Sequence, residues 1–243
     1  MYKKIAGITF TLLASVFAVN ANAACKDITY NALQGAANAA LASASTGGLS
    51  LNMWATFVDE TGKVCSVVNT STKGSLAGNS QWLGSRVISA QKANTGNAFS
   101  LDGLAISSGA LFAAVQPGGS LYGLQESNPV NAESAYKGSP SNYGKTNDPL
   151  VGNRVGGINV FGGGLPVYKN GVKVGGIGVS GDTSCTDHAF VWKIRNLLGL
   201  EPSGSVTQVE KLKLTNAFGA LGDHPTCIGA PIADQSGFVA SAP

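Results

Sequence analysis

The chain has 243 residues, with 16 Lys+Arg against 13 Asp+Glu and a formal net charge of +3. Charged residues make up 12% of it and hydrophobic residues 44%. That balance excludes a disordered polyelectrolyte and gives no footprint for nucleic acid.

The N-terminus reads as an export signal. Lys3 and Lys4 are followed by an uncharged apolar run, Ile5 to Val19, and by the small-x-small site Ala21-Asn22-Ala23. This pattern predicts a cleaved signal peptide over 1–23 and a mature periplasmic or secreted chain. The apolar run is shorter than the roughly 20 residues of a spanning helix. A lipid-modified Cys25 is disfavoured because Asn22 stands where a lipobox carries leucine. Removing Lys3 and Lys4 leaves 14 basic against 13 acidic groups, a net of +1. Neither nucleic acid nor an anionic membrane is therefore expected as a partner of the processed chain.

Four cysteines, Cys25, Cys65, Cys185 and Cys227, form an even set. In an oxidising compartment they predict two disulfides. Three pairings are open. Cys25–Cys65, stapling the N-terminus to an early strand, and Cys185–Cys227, stapling the C-terminal extension to a helix start, are favoured. A zinc site is the rival, disfavoured by long spacings and the lack of a Cys-x-x-Cys pair.

Along the chain, Ala-rich residues 28–45 show three- and four-residue apolar spacing and predict an amphipathic helix ended by Gly47-Gly48. Leu51 to Val58 and Val64 to Val68 predict a hairpin around Asp59–Lys63. Trp82 to Phe99 and Asp102 to Val115 read as helices, with Asp102 as N-cap of the second. Residues 126–155 show no period and predict a long irregular segment. Ile158 to Phe161 is a candidate strand. Leu165 to Val179 predicts a hairpin around Asn170-Gly171. A helix from Thr186 to Leu198 follows, and residues 201–243 read as an extension wrapping the domain of 24–200.

Gly176-Ile-Gly178-Val-Ser-Gly181 matches a dinucleotide fingerprint by letter. Its strand, however, belongs to an antiparallel hairpin, and the fingerprint needs a parallel βαβ unit. Asp187-His188 beside a Ser-rich turn invites a hydrolase reading, but no Gly-x-Ser-x-Gly elbow is present. Any imidazole-ligated haem or metal must use His188 or His224, since the processed chain has no other histidine and only Met53 as methionine.

Gly162-Gly-Gly-Leu-Pro-Val167, Gly171-x-x-x-Gly-Gly-Ile-Gly-Val-Ser-Gly181 and the Asp187-containing helix resemble the GlcG/HbpS-like haem-binding family. Ala55-Thr-Phe-Val-Asp59…Gly62, Gln91-Lys92-Ala93 and Gln116-Pro-Gly-Gly-Ser-Leu-Tyr-Gly123 extend the resemblance over most of 28–200. The resemblance implies a single three-layer α/β/α domain with a central, largely antiparallel sheet, a homo-oligomer, and haem or another small molecule as ligand. An enzyme acting on haem or a small metabolite is the alternative. Some relatives place a haem ligand on the N-terminal helix, which carries no histidine here; His188 is then the first expected haem ligand and His224 the reserve.

Overall fold

The computed structural model describes residues 25–26, 28–42, 48–71 and 84–228. The expected signal peptide, Gly47 at the first helix end, the helix start at Trp82 and residues 229–243 lie outside the described residues. In chain order the elements are α1 (Tyr30–Ala42), β1 (Trp54–Asp59), β2 (Val64–Asn69), α2 (Ser85–Ala98), β3 (Leu104–Ile106), the one-turn helices α3 (Leu124–Ser127) and α4 (Ala132–Ala135), β4 (Gly164–Lys169), β5 (Val172–Ser180), α5 (Ser184–Leu198), β6 (Thr207–Val209), β7 (Lys213–Leu214) and β8 (Asp223–His224).

The period-2 alternation of the strands sorts side chains into two layers. Ala55, Phe57, Leu165, Val167, Ile177 and Val179 face one side, where Leu33 of α1 and Phe190 and Ile194 of α5 cover them. Trp54, Val58 and Val67 face the other, against Val87, Ala90 and Ala93 of α2. The sheet runs β2-β1-β5-β4 with every pairing antiparallel. The result is the three-layer fold that the sequence resemblance implies. The β4–β5 turn places Asn170 and Gly171 at φ of 52° and 79°, the positive values that a type I′ hairpin requires. Both favoured disulfides are present, Cys25–Cys65 and Cys185–Cys227.

The glycines of β5 are spacers. Ile177 and Val179 point to the α1/α5 face, so Gly176 and Gly178 fall on the α2 face. A β-carbon at Gly178 would collide with the Ser89 carbonyl oxygen, and one at Gly176 with that of Ala93. Gly164 on β4 meets the Lys92 carbonyl in the same way, while Gly96 on α2 abuts the Leu165 backbone. Helix α2 thus rests directly on strand backbone. The dinucleotide-like string is part of an antiparallel strand, as its hairpin context indicated.

Two expectations need correction, and a third gains an anchor. Residues 102–115 do not form a helix capped by Asp102. Leu104–Ile106 pair in parallel with Thr207–Val209 of the C-terminal segment, and single 3₁₀ turns follow at Gly109–Leu111 and Ala113–Val115. Asp102 instead accepts the Lys173 N–H at 2.9 Å beside the β4–β5 hairpin. Pairing with a distant segment has overridden local helix spacing. Ile158–Phe161 is not a strand, because its peptide N–H groups go to side chains: Asn159 donates to Thr95 Oγ1 at 3.0 Å and Phe161 to Asn159 Oδ1 at 3.2 Å. The 126–155 segment, lacking period, is nonetheless anchored and contains α4. Arg86 Nε donates to Asp148 at 3.0 Å and its guanidinium stacks 3.5 Å over Tyr143, while Asp148 also accepts the Gly144 N–H at 2.7 Å. The C-terminal segment is held similarly, with Arg195 Nη2 donating to the buried Glu210 carboxylate at 3.1 Å.

Gly178→Ala is expected to lower stability by about 1–3 kcal/mol or more through overpacking. Gly35→Ala, in α1 with no heavy atom within 4 Å of the added carbon, should be neutral or stabilising by up to about 1 kcal/mol. Urea denaturation of the two variants checks this, and equal midpoints would remove the spacer role.

Candidate functional site

The Gly162-Gly163-Gly164 stretch enters β4 between α2, α5 and the C-terminal segment, where all three glycines are needed for want of space. A β-carbon at Gly162 would sit 3.1 Å from His188 Cβ, and one at Gly163 3.0 Å from Asp187 Cβ. The peptide N–H groups here are taken up by the two histidines. Gly163 N–H donates to His188 Nδ1 at 3.2 Å, and Gly162 N–H to His224 Nε2 at 3.1 Å. His224 Nδ1 lies 2.9 Å from the Pro225 carbonyl, which assigns the ring proton to that nitrogen.

Both imidazoles are buried. Burial, reinforced by the charges of His224 and Arg195, pushes His188 down to about 3; burial pushes His224 down to about 4. Beneath them Lys92 Nζ donates to Asp187 Oδ2 at 2.8 Å, and the Asp182 N–H donates to Asp187 Oδ1 at 3.0 Å. Burial lifts Asp187 to about 6 against the opposing pull of Lys92. Since Asp187 is engaged with Lys92 and Asp182, it does not orient His188 for a Ser–His–Asp relay. Asp182 in turn accepts the N–H groups of Leu49 and Leu51, at 2.9 and 2.8 Å, and so pins the chain before β1.

The clefts on the surface of the described residues include the following three. One of about 640 Å³ lies at the N-terminus of α5, walled by Leu49, Phe161 and Ile228 with Ser184 and Cys227. Another of about 580 Å³ runs between Ala113–Ser120 and Phe218–Leu221. The third, about 540 Å³, lies along α1 against the end of β2 and residues 144–145. All three fall within the roughly 300–1,000 Å³ of small-ligand sites. Neither histidine lines any of them. The expected ligands are therefore brought together, but inside the fold, as acceptors for Gly162 and Gly163.

The α1 groove alone among the three offers a side chain of the kind that holds haem iron (His, thiolate Cys, Met or Tyr). That side chain is Tyr30, since Cys227 in the α5 cleft is bridged to Cys185. Tyr30 is partly buried and donates to the Gly144 carbonyl at 2.8 Å. Burial, then the nearby Asp148 carboxylate, raise its pKa. Gln34 Nε2 donates to Asn38 Oδ1 at 3.0 Å and to the Asn69 carbonyl at 3.1 Å. Leu41 and Ala42 supply an apolar wall, and among the described residues the exposed Lys145 is the cationic one in the lining. Neither Tyr30 nor Lys145 stands out in the sequence, because each is an ordinary residue in its own segment and the groove exists only after α1 meets the 126–155 segment.

The family model described as "Haem degrading protein HbpS-like" matches residues 28–194. The chain belongs to the HbpS-like family. Among solved structures this HbpS-like chain is similar to Klebsiella pneumoniae protein ORFY at 23% identity and a TM-score of 0.47, covering 72% of this chain and 92% of that one. It is similar to PduOC in its haem complex at 20% identity and a TM-score of 0.49, covering 74% and 96%. A double mutant of Streptomyces reticuli HbpS is similar at 16% identity and a TM-score of 0.43, covering 82% and 99%. No curated protein sequence matches the chain.

The buried histidines make stability depend on pH. Each has a folded pKa below its unfolded 6.5, so the unfolded chain binds protons that the folded one does not, and stability falls as pH drops from 7 toward 4. Asp187, raised to about 6, acts oppositely over the same window and offsets one histidine in part. The net expectation is a loss of about 2–3 kcal/mol between pH 7 and pH 5. Urea titrations at the two pH values check it; stability that is flat or rises on acidification contradicts buried neutral imidazoles.

Proposed function

We propose that the protein is an exported binder of haem, or of a similar flat anionic small molecule, and that the ligand occupies the α1 groove. Family membership and the paired disulfides support this reading. The observation that carries it is the placement of Tyr30, a haem-ligand side chain, in an open cleft that Lys145 also lines. Bound haem would supply an iron centre able to accept an oxygen ligand. Tyr30 would offer its phenolate, Lys145 would face the propionates, and Leu41 with Ala42 would cover part of the porphyrin. Tyr30 must release its proton and its bond to Gly144 to do so. His188 and His224 keep their structural roles. A homo-oligomer is part of the same reading, with the exposed Phe161, Phe218 and Leu221 as the apolar surface available to a second copy. Degradation of haem is the second reading, favoured by the family description; loss of the Soret band under reductant and oxygen would separate it from binding.

Haem titration followed by absorbance tests the assignment. Tyr30→Phe should weaken binding about tenfold or more and alter the spectrum, since the phenolate oxygen that would hold the iron is removed. His188→Asn and His224→Asn should leave the affinity unchanged while lowering stability. Because the Tyr30 pKa is raised and ligation expels its proton, affinity should climb by up to about tenfold per pH unit below that pKa. Wild-type affinity in Tyr30→Phe, or a spectrum lost only in a histidine variant, would overturn the groove assignment.

A further inference from the structure

The Cys185–Cys227 bridge sits in the first turn of α5. The Cys185 N–H donates to Cys227 Sγ at 3.1 Å, and Ser184 Oγ is 3.5 Å from the same sulfur. Both sulfurs and a ring nitrogen of His224 lie within 4.8 Å of one another. Two thiolates and an imidazole form a zinc-type donor set with one position left open. Helix N-termini lower thiol pKa values, and the N–H aimed at Cys227 favours its thiolate further. Cys227 and Ser184 also line the α5 cleft, which supplies an entry path and room for a fourth ligand.

We propose that reduction of this bridge creates a site for a thiophilic divalent cation of the zinc type, bound by Cys185, Cys227 and His224. The reductant, a thiol or a phosphine, gives two electrons. The S–S bond breaks and each sulfur takes up one proton. With a tertiary phosphine, water supplies the oxygen and the phosphine leaves as its oxide. The cation then displaces both thiol protons to solvent. His224 supplies Nε2 by giving up the Gly162 N–H, or supplies Nδ1 by moving its proton to Nε2 and giving up both the Gly162 N–H and the Pro225 carbonyl. The bridge is thus a structural staple when oxidised and a metal site when reduced. Cys25, Asp59 and Cys65 form a second cluster of this sort, but Asp59 already accepts from the Thr61 N–H and hydroxyl and the Lys63 N–H, with the Lys63 ammonium 3.7 Å away. That positive charge opposes a cation there.

The test uses the full processed chain carrying Cys25→Ser and Cys65→Ser, reduced with a tertiary phosphine, freed of reductant and titrated with Co²⁺. One equivalent should bind, with thiolate charge-transfer absorption in the near ultraviolet and intense visible bands of tetrahedral cobalt. Zn²⁺ should displace it, and the oxidised chain should show neither band. His224→Ala should weaken binding about tenfold or more. His224→Gln, which retains an acceptor for the Gly162 N–H, should show the same weakening with the far-ultraviolet circular dichroism of the parent. No cobalt bands in the reduced chain, or undiminished affinity in both His224 variants, overturns the site.

Discussion

Backbone-to-backbone contact between α2 and the β4–β5 hairpin is the constraint on which the remaining structure depends. A helix normally stands off a sheet by the thickness of two side-chain layers. Here Gly164, Gly176 and Gly178 remove one layer and Gly96 thins the other, so carbonyls of α2 touch strand backbone. Ile177 and Val179 meanwhile keep the opposite face fully apolar for α1 and α5. The alternation Gly-Ile-Gly-Val is therefore one pattern with two consequences: a tight helix on one side and a conventional core on the other.

That close approach brings charged residues of α2 into the interior, where they must be paired. Arg86 is held by Asp148 and Lys92 by Asp187; on α5, Arg195 is held by Glu210. All six groups are buried. Breaking such a pair by removing one member leaves an uncompensated charge and typically costs about 3–5 kcal/mol. Two of the pairs reach into segments of little regular structure, 126–155 and 201–228, and fix them to the helices. The first of these fixes one wall of the α1 groove, since Asp148 also holds Gly144, the residue whose carbonyl takes the Tyr30 hydroxyl.

Wherever local patterning coincided with tertiary placement, the fold was legible in the sequence. The β1–β2 hairpin, the Asn170-Gly171 turn, α1, α2, α5 and the number of disulfides follow from periodicity, turn chemistry and cysteine count, while the favoured pairing among the three open ones is fixed by the fold. Residues 102–115 misled because their apolar spacing suits a helix while their peptide groups are claimed by Thr207–Val209, about a hundred residues away in sequence. The site was legible only in its identity as a ligand-binding family member. His188 and His224 stood out by scarcity, and their structural use depends on Gly162 and Gly163 presenting N–H groups to them, which no spacing announces. Tyr30 and Lys145 become neighbours of one cleft only through the Arg86–Asp148 anchor.

Hydrogen–deuterium exchange with and without haem tests most directly whether the α1 groove takes the ligand. Haem should slow exchange in residues 30–42 and 142–148 while leaving residues 160–164 and 184–190 unchanged. Protection confined to the second pair of segments would instead place the ligand at the buried histidines and contradict the groove.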